Sequence, residues 1–155
     1  MIKRWRWGSY RFSVSASKVV DVKGFNSILS DKHHILLWDF DNSSKRDVAL
    51  ALMNVQSQYG LPEIRVSNSG KSRHWVACCF KRLRFREALQ ILASTPGIDV
   101  SFLKYGIYRG HWTLRITPKN QRRIKFAFRL GSNVPPDVSP YELKSFVHYE
   151  STSVS

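Results

Sequence analysis

Two aspartates, Asp39 and Asp41, end the apolar run Ile35-Leu36-Leu37-Trp38-Asp39-Phe40-Asp41, and a third, Asp99, sits between Ile98 and Val100. Acids in such company stand out, because most others lie in polar surroundings, as Asp47 does in Lys-Arg-Asp and Glu87 beside Arg86. A spacing of two on a strand puts Asp39 and Asp41 on one face, with side chains about 6–7 Å apart. Like charges repel. At about 4 Å and an effective dielectric of about 20 the cost is about 4 kcal/mol, and less at wider spacing. Lys or Arg can neutralise such a pair, and so can a divalent cation, since oxygen ligands from two or three Asp suit Mg²⁺ or Mn²⁺. Asp41 is equally placed to cap the helix that follows.

The second chemical segment is Ser69-Gly70-Lys71-Ser72-Arg73-His74. Gly-Lys-Ser suggests a P-loop, but position 65 is Arg where that motif needs Gly, and a strand-like run, Trp75-Val76-Ala77-Cys78, follows instead of a helix. A tight turn here still offers phosphate ligands: backbone N–H groups, the Ser69 and Ser72 hydroxyls, the Lys71 and Arg73 charges, and His74 at the strand start. Read alone, the segment also fits an ordinary hairpin turn with a surface histidine.

Periodicity supplies the elements that must hold these groups. Tyr10, Phe12 and Val14 alternate as in a half-buried strand, and residues 35–41 read as a buried one. Asn42-Ser43-Ser44 offers an N-cap; Val48, Leu52, Val55 and Tyr59 recur at helical spacing, and Gly60 closes the helix. Pro62–Ser67 and His74–Phe80 read as a hairpin around Asn68–Lys71. Phe85, Ala88, Leu89 and Leu92 make a second helix, stopped by Thr95-Pro96-Gly97. Ile98–Lys104, His111–Thr117 and Ile124–Leu130 read as strands. The order predicts an α+β domain around an antiparallel sheet with two main helices, over residues 1–134, and a loosely ordered tail over 135–155.

The chain has 155 residues, with 25 Lys plus Arg against 11 Asp plus Glu, a net charge of +14. At 43% hydrophobic it can build a core, and its length excludes a kinase, a TIM barrel or a two-domain dehydrogenase. Cys78 and Cys79 are adjacent, so on a strand they point apart, which argues against a disulfide framework; no zinc motif occurs. No apolar run approaches the roughly 18–20 residues of a membrane span, and no signal-type core follows the basic start. The expectation is a protein of the cytoplasm, or of a host cell if a virus or plasmid encodes it. Basic residues interleave with aromatics in Lys3, Arg4, Trp5, Arg6, Trp7, Tyr10 and Arg11, and cluster again at Arg82, Arg84, Arg122, Arg123 and Lys125. Such mixing suits phosphate contact with base stacking and predicts a nucleic-acid partner.

Taken in order, these segments resemble the archaeo-eukaryotic primase superfamily, which includes primase small subunits and primase-polymerases. Its hydrophobic-Asp-hydrophobic-Asp motif matches Trp38-Asp39-Phe40-Asp41. Its Ser-Gly-x-Gly-x-His motif matches Ser69 to His74, with Ser72 in place of the second Gly. Its hydrophobic-Asp motif matches Ile98-Asp99, and its Arg-bearing strand matches Thr113-Leu114-Arg115, with Lys119 nearby. The resemblance spans roughly residues 35–119. It implies a palm-like, RRM-like catalytic core in which Asp39, Asp41 and Asp99 hold two Mg²⁺ or Mn²⁺ ions. It also implies that Ser69, Lys71, Ser72, His74, Arg115 and Lys119 contact the phosphates of a nucleoside triphosphate. The expected partners are a single-stranded DNA or RNA template and nucleoside triphosphates, with a helicase or replication initiator beside them, and no membrane.

Two other readings compete. A non-catalytic RRM-like module would bind single strands through Trp5, Trp7 or Trp112 and the basic face, although the RRM signature run is absent. A rolling-circle endonuclease needs His-x-His on a strand, whereas His33 and His34 are adjacent.

Overall fold

Residues Ile35 to Trp38 and Phe40 expose 2% of their surface or less, so the strand carrying them must be covered on both sides. This holds in the computed structural model, which describes residues 2–15, 18–117 and 123–152. Nine strands and three helices follow in the order β1 (Ile2–Trp7), β2 (Tyr10–Ser15), β3 (Lys18–Asn26), β4 (His34–Phe40), α1 (Lys45–Tyr59), β5 (Ile64–Asn68), β6 (Trp75–Leu83), α2 (Phe85–Ala93), α3 (Val100–Arg109), β7 (Thr113–Arg115), β8 (Lys125–Leu130) and β9 (Ser145–Thr152). The fold is α+β, and every strand pair is antiparallel. Four strands form the main sheet in the order β4-β6-β5-β8; three form a second, β7-β3-β9; β1 and β2 stand as a separate hairpin.

Pairing register sorts the main sheet into two faces. Trp38 lies opposite Ala77, and Ala77 opposite Val66; all three are buried in the core that also holds Leu52 of α1 and Leu92 of α2. Asp39 lies opposite Val76, and Val76 opposite Ser67, on the other face. Helix α1 begins where Ser44 accepts from the Asp47 amide at 3.1 Å and ends at Gly60 with φ of +59°. The Trp38 indole donates to Thr95 Oγ1 at 3.0 Å, tying β4 to the end of α2.

The outer edge of β4 would leave its carbonyls and amides unpaired. Two contacts close it. Ile35 N donates to Ser27 O at 2.9 Å near one end, and Asp99 N donates to Asp39 O at 2.8 Å near the other. The adjacent cysteines point apart as expected, with Cys79 buried and both thiols free. Burial holds both thiols above their ordinary range, Cys78 at about 11, so neither is an activated nucleophile.

Two expectations fail, and one strand forms where no element was expected. Residues 98–104 are not a strand but the start of α3, because Asp99 accepts from the amides of Ser101 and Phe102 at 3.1 and 3.0 Å and nucleates a helix after the Thr-Pro-Gly stop. Strand β3 occupies a stretch that reads as polar, since Lys18, Asp21 and Lys23 interrupt its valines. The segment after Pro135 is not a loose tail: a 3-10 turn at Pro140–Glu142 leads into β9, which pairs with β3 from Phe25↔Ser145 to Lys18↔Thr152. A partner over a hundred residues away supplies its hydrogen bonds, which local pattern does not reveal.

Gly106 of α3 is a packing requirement. A Cβ there would stand 1.9 Å from the indole nitrogen of Trp112, which is 1% exposed. Gly106→Ala should therefore destabilise the fold by about 1–3 kcal/mol in denaturant titration. Unchanged stability would show that Trp112 does not pack on the bare helix backbone.

Candidate functional site

Two of the three acids expected to act together, Asp39 and Asp41, meet at an imidazole, and the third, Asp99, touches Asp39 through its main chain. Asp39 ends β4 and Asp41 follows it; Asn42, in the left-handed region at φ of 54°, then turns the chain. The β5–β6 turn is pinned against that bend. Ser43 N donates to Arg73 O at 3.0 Å, the Arg73 guanidinium donates to Asn42 O at 3.1 Å, and the Trp75 indole donates to Ser43 O at 3.0 Å. His74 is thereby held over the carboxylates, its Nε2 lying 2.7 Å from Asp41 Oδ1 and 3.6 Å from Asp39 Oδ1. Asp39 Oδ1 and His74 Nδ1 are buried and make no hydrogen bond among the described residues. Asp41 does not cap α1; Ser44 does.

The turn itself is built by Asn68, whose side chain accepts from Gly70 N at 2.8 Å and donates to the carbonyls of Lys71 and His74. Its left-handed residues are Gly70, at φ of 83°, and Arg73, at φ of 59°. Position 72 is not among them, so Ser72 in place of Gly imposes no backbone strain. Lys71 and Ser72 are exposed and Ser69 half-buried at the mouth of the turn.

Asp99 reaches the group from a helix N-terminus rather than from a strand. Its main chain is bonded to Asp39 and its carboxylate caps α3. Between β4, α3 and β7 lies a cavity of about 260 Å³, lined by Asp39 and Asp99 together with Tyr105, Arg109, His111 and Trp112. The Trp112 indole N–H is buried without a partner. Among the described residues, one buried acceptor on Asp39 and one buried donor on Trp112, both without a hydrogen-bond partner, thus belong to residues lining one cavity. These α3 residues were missed by the strand reading; the helical spacing of Phe102, Tyr105, Gly106 and Arg109 is the signal that finds them.

Burial is the main influence on Asp39, and with the Asp41 and Asp99 charges it raises the carboxyl pKa to about 6 against the pull of His74. The salt bridges among the described residues give neither Asp39 nor Asp41 a Lys or Arg partner. The donor set, carboxylate oxygens with one left unpaired, has the chemistry a hard divalent cation requires. Among the described residues, however, no three His, Cys, Asp or Glu side chains stand in coordinating geometry. Asp39 and Asp41 are the two carboxylates that fit best, and Asp99 lies beside them with its oxygens engaged at the cap.

Other expected residues fall elsewhere. Arg115 is on β7, two positions from the cavity-lining Thr113 and so on the same strand face; its Nε donates to Thr117 O at 3.3 Å. Lys119 and Arg122 lie outside the described residues. Lys3, Arg4 and Arg6 are exposed on β1; Arg84 is exposed at the start of α2; Arg123 and Lys125 are exposed at and beside the start of β8, the far edge of the sheet from Asp39. Arg82 is not a free phosphate ligand: its guanidinium binds Asp31 and Glu142, and its amide donates to Asp137. That cluster joins β6 to the chain preceding β9. Trp112 is likewise core, not a stacking platform.

Comparison with family models, curated proteins and solved structures finds no match to this chain.

A carboxyl with a raised folded-state pKa is most compatible with folding while protonated. The Asp39 carboxyl should therefore cost stability progressively as pH rises from about 4 to about 6, with its effect complete above that. In denaturant titrations, the stability gain from Asp39→Asn should grow across this interval and then level off. A pH-independent difference would contradict the burial of an ionisable Asp39.

Proposed function

We propose that the protein is a minimal primase-type nucleotidyltransferase that adds nucleotides on a single-stranded template. One observation carries the reading: residues from three separate segments, Asp39 and Asp41, His74, and Asp99, meet beside a cavity, with a buried Asp39 oxygen left unpaired. This is the convergence that the primase resemblance requires of its three motifs.

Divalent metal held by Asp39 and Asp41, with Asp99 beside them, would supply Lewis-acid activation of a 3′-hydroxyl and charge neutralisation of the triphosphate. The chain's own groups do the rest. The Ser69–Ser72 turn offers hydroxyls and the Lys71 ammonium to phosphate oxygens at its exposed mouth. His74, fixed by the pinned turn, donates from Nε2 to Asp41 and so orders that carboxylate beside the turn. None of the residues lining the cavity comes from the turn, so phosphate ligands and cavity meet only through Asp39. The cavity then has the place of the sugar and base, walled by Tyr105 and Trp112, with Arg109 stacked on the Tyr105 ring at 5.6 Å.

The test is incorporation of labelled nucleotide on a single-stranded template with Mg²⁺ or Mn²⁺, using all eight nucleotides. Asp39→Asn, and Asp99→Asn, which keeps a side chain able to cap α3, should each lower incorporation by about a hundredfold or more while leaving the circular dichroism spectrum unchanged. Undiminished incorporation by both variants overturns the assignment. So does a native chain that binds single strands and incorporates nothing, which is the behaviour of a binding module.

A further inference from the structure

The β1–β2 hairpin takes part in neither larger sheet. Its six residue pairs run without interruption from Ile2↔Ser15 to Trp7↔Tyr10, closed by the two-residue turn at Gly8, where φ is +58°. Strand alternation divides its side chains cleanly. One face carries Lys3, Trp5 and Trp7 with Tyr10 and Phe12; the other carries Arg4, Arg6 and Arg11. Trp5 and Phe12 are cross-strand partners with rings 6.2 Å apart and 16° from parallel. All four rings are open to solvent, Trp7 at 80% and Tyr10 at 74%. An isolated two-stranded hairpin is marginal in water, and four large rings outside the core gain it little burial.

We propose that this hairpin is a grip for single-stranded nucleic acid, separate from the carboxylate site. Charge complementarity selects the partner. The first acidic residue in the chain is Asp21, so the hairpin presents only positive charge to a phosphate backbone. The ring pairs Trp5/Phe12 and Trp7/Tyr10 follow one another about 7 Å apart along the strands, a row of exposed rings for successive unpaired bases. Duplex bases are already stacked on one another and offer these rings no face. The ribbon is narrow, with strands about 5 Å apart, so arginines rooted on the second face reach its edges, where phosphates of a strand lying across the rings would run. A membrane surface also attracts aromatic and basic residues. The two open edges of the ribbon, however, carry unpaired backbone groups, which water and phosphate satisfy and lipid does not.

The test is fluorescence anisotropy of a labelled oligothymidine of twenty nucleotides with the full chain, at two salt concentrations. Trp5→Ala/Trp7→Ala should weaken binding tenfold or more, while Trp5→Phe/Trp7→Phe, which keeps a ring at each position, should stay within about threefold of the native chain. Arg4→Gln/Arg6→Gln/Arg11→Gln should flatten the salt dependence. Native-like affinity in the double alanine variant overturns the proposal. So does an alanine variant that loses binding to phosphatidylserine vesicles but not to the oligonucleotide. Asp39→Asn should bind the oligonucleotide as the native chain does, and the alanine variant should keep metal-dependent incorporation at saturating template. Failure of the hairpin and failure of the catalytic reading are thus read in different assays.

Discussion

A main-chain hydrogen bond, from the amide of Asp99 to the carbonyl of Asp39, joins the helical side of the site to its strand. It closes the exposed edge of β4 where no strand covers it, and it sets the start of α3 against the acidic end of that strand. The Asp99 carboxylate accepts from two amides of its own helix. The wall of the cavity follows from this one junction, since Tyr105, Gly106 and Arg109 are carried by the helix that Asp99 begins. Gly106 then lets Trp112 pack flush against α3 and complete the enclosure.

The distribution of acids gives the junction its chemical meaning. Where described side chains of the other acids are seen, they serve the scaffold. Asp31, Asp137 and Glu142 engage Lys81 and Arg82, Glu63 engages Arg65 and Arg129, and Asp47 and Glu87 bond the first turns of α1 and α2. Among the described residues, Asp39 and Asp41 have His74 as their only ion-pair partner, in a chain with 25 Lys and Arg. A half-buried carboxylate such as that of Asp39, without a Lys or Arg partner among the described residues, works against folding, and proteins keep such groups where they bind or react.

Much of this was legible in the sequence because the signals are local. Ser44 and Gly60 bracket α1, alternation marks β5, β6 and β8, and the apolar run marks β4 with its two aspartates. The β5–β6 hairpin that carries His74 was legible for the same reason. What stayed hidden depends on distant partners or on competing patterns. Ile98, Val100 and Phe102 alternate like a strand, yet Asp99 caps a helix, and the capping geometry decides over the alternation. The β3–β9 pairing joins the two ends of the chain. Arg82 reads as a phosphate ligand until Asp31 and Glu142 are seen to converge on it from far along the sequence.

The central claim is that Asp39, Asp41, His74 and Asp99 form one cation- and phosphate-accepting centre. Titration of ¹⁵N-labelled protein with Mn²⁺, a paramagnetic ion that broadens nearby amide signals, tests it without reference to activity. The account predicts saturable broadening confined to residues near 39–42, 74 and 98–102, abolished by Asp39→Asn. Broadening that is weak and scattered, or centred on Asp31, Asp137 and Glu142 instead, would contradict it.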